Sequence, residues 1–309
     1  MKTEDIYDVV IVGGGAAGLS AAMLLGRCMR KVLVLDSSEP QRTSRVSTCG
    51  YIGHDGLMPS GFLDAGRREL EKFETLRVAK ASVMDIERPG FGYRVHCENG
   101  VTFPAKAVLL ALDFGVQIPA IPGAERFCGR SLFQCPPCFE AWEFRGKRLG
   151  VLGANKPAIE LAIKLLHWSA DVTLFTDGGE LPGSRADKRL ERAKIKVARG
   201  AVAALVGNQG QLQSVRLEAG QPVVCDVLYH SLPDEDGAHI AWHIQPEMGR
   251  LTSAVKHGLI GSSGLEGLFV VERSCSNGDF AILAAAEGVK AAESVHIWLA
   301  EAERSYLTL

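Results

Sequence analysis

The chain has 309 residues, of which 47% are hydrophobic and 23% are charged, and this length allows about two domains that each bury a core of their own. Its formal net charge of −2 disfavours a role on nucleic acid, because binding to phosphates needs a basic surface. The sequence shows neither a secretory signal pattern nor an apolar run of membrane-spanning length, so we expect a cytoplasmic protein without membrane or nucleic-acid partners.

The N-terminal part of the chain predicts a strand, a glycine-rich turn, a helix and a second strand. In a turn of this type Gly13 permits the tight bend, Gly15 lets the backbone approach a pyrophosphate, and Gly18 lets helix and strand pack closely. Asp36 follows the second strand, where a carboxylate accepts hydrogen bonds from an adenosine ribose. The elements are predicted at 8–12, Gly13-Gly14-Gly15-Ala16-Ala17-Gly18, 19–30 and 32–35. Together they indicate a bound dinucleotide.

The next stretch predicts a loop, a charged helix, a small antiparallel sheet and a buried strand. The elements are predicted at 50–56, 60–73, 78–83 with 93–101, and 108–112. Pro119-Ala120-Ile121-Pro122-Gly123 cannot continue a regular element, so we place a crossing between two domains there.

A second strand, turn, helix and strand repeat the first unit with a changed turn. They are predicted at 148–152, Gly153-Ala154-Asn155-Lys156-Pro157-Ala158, 158–168 and 172–175. The turn keeps its first glycine but has Asn155 where the close approach of a phosphate needs glycine. The following Thr176-Asp177-Gly178-Gly179 offers no arginine pair for a 2′-phosphate. A strand at 267–271 and a helix at 281–299 end the chain.

Two of the eight cysteines have a spacing that carries chemistry. Cys135 and Cys138 are separated by two prolines, and thiols three positions apart at a helix start can close a disulfide. A zinc site would need a second pair of cysteines or histidines at ligand spacing, which the sequence lacks, so we expect no metal. The pair is predicted to be a redox dithiol.

These motifs together resemble the low-molecular-weight thioredoxin reductase family of flavoproteins over essentially the whole chain. The resemblance is carried by the first glycine turn, Gly53-His54-Asp55-Gly56, Ile121-Pro122-Gly123, the dithiol and Ala284-Ala285-Ala286-Glu287-Gly288. It implies an α/β fold of two Rossmann-like (FAD/NAD(P)-binding) domains, the second inserted in the first. The boundaries expected from it are 1–117 for the first part of the FAD domain, 118–244 for the dithiol domain and 245–309 for the remainder.

The resemblance also implies the site residues. FAD is expected to contact Gly13, Gly14, Gly15, Ala16, Ala17, Gly18, Asp36, Ser37, Arg42, Gly50, Tyr51, Val83, Ala111 and Ala281. Cys135 and Cys138 are the expected catalytic pair, with Cys138 facing the flavin. The Asp or His that usually follows the dithiol is replaced by Phe139, which leaves Glu140 as the nearest acid/base candidate.

Further departures alter the expected flavin contacts. Ala111-Leu112-Asp113 replaces the Ala-Thr-Gly of the family, and Glu272-Arg273 replaces its Gly-Asp. His54 is either a turn residue or a proton donor near the flavin. Tyr306 either packs at the end of the last helix or covers the flavin face.

The expected function is FAD-dependent thiol–disulfide exchange with thioredoxin or another dithiol or disulfide substrate, by a homodimer. The changed second turn resembles the branches of the family that do not use pyridine nucleotides. Ferredoxin is then the expected donor, docking near Arg189 and Arg192, within a basic cluster that otherwise reads as a solvated helix face. The alternatives are a dithiol oxidase that reduces oxygen, an NAD(P)H-dependent reductase, and a flavin-binding sensor without catalysis.

Overall fold

The computed structural model describes residues 6–37, 48–111, 118–134, 139–230, 266–271 and 280–307. Its helices are α1 (Ala16–Arg27), α2 (Pro59–Leu70), α3 (Ala124–Phe127), a 3-10 turn (Phe139–Trp142), α4 (Lys156–Leu165), α5 (Ser184–Arg192) and α6 (Ala281–Leu307). Its strands are β1 (Tyr7–Val12), β2 (Val32–Asp36), β3 (Leu76–Lys80), β4 (Val83–Glu87), β5 (Tyr93–Cys97), β6 (Thr102–Leu110), β7 (Leu132–Gln134), β8 (Leu149–Leu152), β9 (Val172–Phe175), β10 (Lys196–Ala198), β11 (Val202–Asn208), β12 (Gln211–Leu217), β13 (Val223–Val224), β14 (Val227–His230) and β15 (Leu268–Val270).

The first sheet has seven strands in the order β3-β2-β1-β6-β5-β4, with β15 also paired to β6. Strands β3, β2, β1, β6 and β15 are parallel, whereas β4, β5 and the first half of β6 are antiparallel. The predicted small antiparallel sheet is confirmed by β4, β5 and β6, with Val83 opposite Cys97, but only part of the segment predicted at 78–83 is antiparallel. That segment spans the end of β3, which pairs in parallel with β2, and the start of β4. Because α2 carries the chain back across the sheet, β3 has to return parallel to β2.

Helices α1 and α6 pack against one face of this sheet and run in the same direction. Near their starts, a Cβ atom on Gly288 would lie 2.1 Å from the Ala17 carbonyl oxygen. Beyond the end of α1, Arg30 donates to His296 Nδ1 at 3.1 Å and to Glu303 Oε1 at 2.5 Å. The two N-termini therefore lie at one end of the sheet, beside the carboxyl ends of β1, β6 and β15.

A second sheet of five parallel strands has the order β10-β9-β8-β14-β7. It confirms the predicted second strand, turn, helix and strand, and Val151, Leu161 and Leu174 lie in its core. The antiparallel sheet β11-β12-β13, together with β7 and β14, was not predicted. Apolar segments of three or four residues, such as β7 and β14, do not distinguish a strand from a buried helix by periodicity.

The predicted helices are present with shifted ends. The first begins three residues early, at Ala16, and it ends three residues early because Met29 has φ 57° and leaves the helix. The second ends at Leu70 and not at 73, while the last extends from 299 to Leu307. The predicted α/β fold class is confirmed. The proposed boundaries at 117/118 and 244/245 adjoin or lie in stretches outside the described residues. Among the described helices, none combines the length and the hydropathy that a bilayer crossing needs.

Candidate functional site

The glycines of the first turn have two different roles: packing requires Gly18, whereas Gly15 borders an open space. Gly13 has φ 112°, and its N–H donates to the Leu35 carbonyl at 2.8 Å, which closes the turn. A Cβ atom on Gly18 would lie 1.9 Å from the Gly13 carbonyl oxygen, so only glycine fits there. A Cβ atom on Gly15, the N-cap of α1, would meet no atom within 4 Å. No side chain caps this helix start, whose amides and dipole favour an anion.

A carboxylate lies beside this turn at the end of β2. A Cβ atom on Gly14 would come within 2.5 Å of the Asp36 carboxyl carbon, so the turn packs directly on the acid. Arg67 of α2 donates through Nη2 to Asp36 Oδ2 at 2.9 Å and through Nη1 to Asp64 Oδ1 at 2.8 Å. Arg67 carries no sequence motif that marked it as a site residue. Ser37 follows and lines a cleft of about 350 Å³ with Lys80, Ala81, Ser82, Glu98 and Asn99.

The segment 48–57 folds back on itself. Thr48 donates its N–H to the Leu57 carbonyl at 2.6 Å, and the Gly50 N–H donates to Asp55 Oδ1 at 2.8 Å. Gly50 has φ 69°, and a Cβ atom there would lie 3.5 Å from the Phe280 ring, immediately before α6. This segment therefore lies against the start of α6.

Three aromatic rings attach the same segment to α2. The ring centroids lie 5.1 Å apart for Tyr51 and His54, 5.6 Å for Tyr51 and Phe62, and 5.4 Å for His54 and Phe62. His54 thus packs among rings and shares its turn with Asp55, which supports the interpretation of His54 as a turn residue.

The structure brings most of the expected FAD residues to one edge of the first sheet. Ala111 donates its N–H to the Val12 carbonyl at 2.9 Å and lies 3.5 Å from a Cβ placed on Gly18. Ala281 is the first residue of α6, at the same edge. Val83 begins β4, just after the residues that line the cleft beside Ser37. Arg42 lies outside the described residues.

The expected redox pair also lies outside the described residues. Cys135, Cys138 and the side chains of Glu140 and Tyr306 therefore stay predictions. Strand β7 ends at Gln134, the residue before Cys135, and Gln134 is opposite His230 of β14. No group of three or more metal-ligating side chains occurs in the described part of the chain.

His230 is a titratable residue that the sequence analysis missed. Its side chain is buried at the carboxyl end of β14, with 7% of the residue exposed. Burial lowers the pKa of His230 to about 4, because the charged imidazolium loses its hydration. Its ring is therefore neutral at neutral pH. Burial likewise raises the pKa of Cys225 to about 12, as expected for a core cysteine.

The second turn repeats the backbone of the first but not its donors. Gly153 has φ 127°, and its N–H donates to the Phe175 carbonyl at 2.8 Å, as Gly13 donates to Leu35. Asn155 takes the N-cap position of Gly15, and its Oδ1 accepts the Ala158 N–H at 3.0 Å. Pro157 has no N–H to offer. Helix α4 thus starts with its amides largely used or absent.

The end of β9 also differs from the end of β2, because it lacks a carboxylate at the position of Asp36. Thr176 takes the position of Asp36 and is buried, while the Asp177 Oδ1 accepts the Val202 N–H at 2.8 Å. A cleft of about 440 Å³ lies beside them, lined by Thr176, Gly178, Gly179, Glu180, Leu181, Asp187, Arg199 and Gly200. Arg199 contributes a guanidinium that the turn sequence itself lacks, but it forms an ion pair with Asp187.

Comparison with known proteins decides the family. The model of the pyridine nucleotide-disulphide oxidoreductase family matches residues 7–232. The chain belongs to this family. Thioredoxin reductase tcpT of Claviceps purpurea is 29% identical over 251 residues, 75% of each chain. The chain spans less than half the length of other curated relatives that it matches, 45% and 43% in two of them.

Solved structures share the fold across nearly the whole chain. The crystal structure of HlmI superposes with a TM-score of 0.83 at 27% identity, covering 100% of this chain and 97% of that one. The thioredoxin reductase TrxB structure from Bacillus anthracis gives 0.82 at 24% identity, covering 96% and 99%. Membership of this family confirms the expected class, a thioredoxin reductase-like flavin-dependent disulfide oxidoreductase, and FAD as its cofactor. The glycine turn and the uncapped start of α1 fit that group.

Proposed function

We propose that the chain catalyses thiol–disulfide exchange through Cys135 and Cys138, and that NADPH and NADH are poor electron donors. The observation that carries the second part is the contrast between the two helix starts. Gly15 leaves space beside an uncapped helix, whereas Asn155 fills the matching position and binds the Ala158 N–H. The domain boundaries given above belong to the same proposal.

The contrast can be counted in amide donors. A helix start offers the N–H groups of its first turn to a phosphate. In α1 these are the amides of residues 16, 17 and 18. In α4 the amide of Ala158 is engaged by Asn155, Pro157 has none, and only that of Lys156 remains. A dinucleotide would have to displace the Asn155 side chain before its pyrophosphate could approach.

Different residues of the chain are proposed to bind FAD, to exchange disulfides and to carry a proton. FAD, when bound, supplies a two-electron acceptor or donor. The glycine turn and the start of α1 would hold its pyrophosphate, and Asp36 its adenosine ribose. Cys135 would attack the partner disulfide to form a mixed disulfide, Cys138 on the flavin side would resolve it by forming the Cys135–Cys138 disulfide and releasing the reduced partner, and Glu140 would carry the proton; the electron pair that restores the dithiol is the chemistry that bound FAD would supply.

The partner is proposed to be thioredoxin or another dithiol or disulfide, bound by a cytoplasmic homodimer. Ferredoxin is the proposed donor, attracted by the exposed basic face of α5. In that helix the two terminal guanidinium nitrogens of Arg189 donate to the Glu160 carboxylate, so the charge of Arg189 is already offset. Arg185, Lys188 and Arg192 are exposed on the same helix and would carry the docking.

The test is anaerobic reduction of the FAD-loaded protein. Stopped-flow mixing with NADPH, NADH, reduced ferredoxin or dithiothreitol is followed at the flavin absorbance. We expect fast bleaching by ferredoxin or dithiothreitol and slow bleaching by either nucleotide. Bleaching by NADPH or NADH at the turnover rate would contradict the proposal. Bleaching by dithiothreitol alone, with fast reoxidation by oxygen, would favour the dithiol oxidase over ferredoxin.

A variant that restores the amide donors at the start of α4 provides the matched control. Asn155→Gly with Pro157→Ala returns two amides to the start of α4. We expect this double variant to be reduced by NADH or NADPH faster than the parent, by about tenfold for 1.4 kcal/mol of recovered phosphate binding. An unchanged rate would show that the amides are not what limits nucleotide binding.

A further inference from the structure

Helix α2 connects the two ends of the candidate FAD site. Its last turn carries Arg67, which binds Asp36 beside the glycine turn. Phe62, earlier in the same helix, contacts Tyr51 and His54 of the segment 48–57. That segment lies against the start of α6 through Gly50 and Phe280. Helix α2 thus contacts both Asp36, which is expected to bind the ribose, and the segment 48–57, which is expected to lie near the flavin.

The Asp36 and Arg67 pair is partly enclosed, unlike the most exposed ion pairs among the described residues. The Asp36 side chain is 17% exposed and that of Arg67 is 32% exposed, whereas the paired Lys196 side chain is 66% exposed. Arg67 is itself held by Asp64, one turn earlier in α2. Asp36 and Asp64 therefore fix the orientation of the Arg67 guanidinium.

The location of Asp36 creates an electrostatic requirement. Its carboxylate packs on Gly14, within the same turn whose amides are to receive a pyrophosphate. A carboxylate so close to a phosphate group repels it, and this repulsion strengthens where water is partly excluded. The guanidinium of Arg67 offsets that charge and holds the carboxylate by a charge-assisted hydrogen bond.

We propose that Arg67 is a positioning residue for FAD, which couples the ribose end of the site to the segment 48–57. It orients the Asp36 carboxylate toward the ribose hydroxyls and offsets its charge beside the pyrophosphate. Through α2 it also fixes the ring cluster of Tyr51, His54 and Phe62. FAD binding at Asp36 then stabilises the packing of the segment 48–57.

The first test measures FAD affinity. Arg67→Met is compared with Arg68→Met, which removes an exposed arginine next to it on the same helix. Flavin fluorescence titrations of the FAD-stripped proteins give the Kd. We expect Arg67→Met to raise the Kd tenfold or more, Asp36→Asn to raise it as well, and Arg68→Met to leave it unchanged. The Arg67→Met, Asp36→Asn double variant should be no weaker than the worse single variant, because the two residues act as a unit.

The second test separates coupling from plain stabilisation of the fold. Hydrogen–deuterium exchange of residues 48–57 is measured with and without saturating FAD. The wild type and Arg68→Met should gain protection there on FAD binding, and Arg67→Met should gain little. Arg67→Lys keeps the charge but loses the two-pronged bonding, and it should give an intermediate Kd.

Three results would overturn the proposal. They are an Arg67→Met protein that binds FAD like the parent, additive losses in the double variant, or full FAD-dependent protection of 48–57 in Arg67→Met. If Arg67→Met does not fold, Arg67→Lys and Asp64→Asn decide. Both should raise the Kd while the cofactor-free proteins unfold at the parent temperature, and wild-type affinity in both would refute the role.

Discussion

Gly15→Val should remove FAD while leaving the cofactor-free fold intact. The added Cβ would meet no atom of the chain within 4 Å, so the larger side chain fits in the absence of cofactor. It would occupy the space from which the pyrophosphate approaches the start of α1. A change from glycine to valine at an N-cap costs the helix about 1 kcal/mol, which shifts the unfolding temperature by about 3 °C.

The effect on binding should be much larger than this effect on folding. Losing the contacts of one phosphate with the first-turn amides should raise the FAD Kd at least 100-fold, or about 2.7 kcal/mol. The assay is the ratio of flavin to protein absorbance after purification, followed by titration with FAD. Gly61→Val is the control, because a Cβ on Gly61 also meets no atom within 4 Å but lies on α2, at a position without a proposed FAD contact. A Gly15→Val protein that purifies with one FAD per chain would refute the reasoning.

Two further predictions concern the dithiol and a buried histidine. Cys135→Ser and Cys138→Ser should both stop turnover. Only Cys135→Ser should show a long-wavelength absorption band, because it keeps a thiolate at 138 to lie against the flavin. Identical spectra, or a band in Cys138→Ser alone, would contradict the assignment of the two cysteines. Burial lowers the pKa of His230 to about 4 from 6.5, so the unfolded chain binds the extra proton between these values, and stability falls as the pH drops from 6.5 towards 4. This loss amounts to about 3 kcal/mol. The free energy of unfolding, measured with urea across that pH range, should depend less on pH in His230→Gln than in the parent. The control His167→Gln changes an exposed histidine and should behave like the parent. Equal slopes in all three proteins would show that His230 is not the cause.

The strand, turn and helix units were predictable because local rules set them. A glycine with φ of 112° or 127° must follow β1 and β8, and the sequence provides Gly13 and Gly153 at these positions. The side-chain cap made by Asn155 is also a local rule, since asparagine is a favoured N-cap, and it could have been predicted.

The parts that the sequence did not indicate depend on distant residues. Alternation at 78–83 indicates a half-exposed strand but not its direction. Strand β3 is largely exposed because it lies at the edge of the sheet, and it is parallel to β2 because α2 precedes it. The pair of Arg67 with Asp36 joins residues 31 positions apart, for which no spacing rule exists. His230 is brought beside the expected dithiol segment only by the pairing of β14 with β7, which places it opposite Gln134.

The two helix starts differ in what stabilises them. Asn155 caps α4 from within the chain, a contact that stabilises a helix by about 1 kcal/mol. Helix α1 has no side-chain cap, so its first amides depend on solvent or on a ligand. A bound ligand stabilises the folded state in proportion to the logarithm of its concentration over Kd, about 2.7 kcal/mol at 100 times Kd. FAD is therefore expected to stabilise the first unit strongly, whereas the second unit has little to gain from a nucleotide. The same backbone turn thus begins one helix without a side-chain cap and one helix that Asn155 caps, and on the proposal above a bound dinucleotide would stabilise only the first.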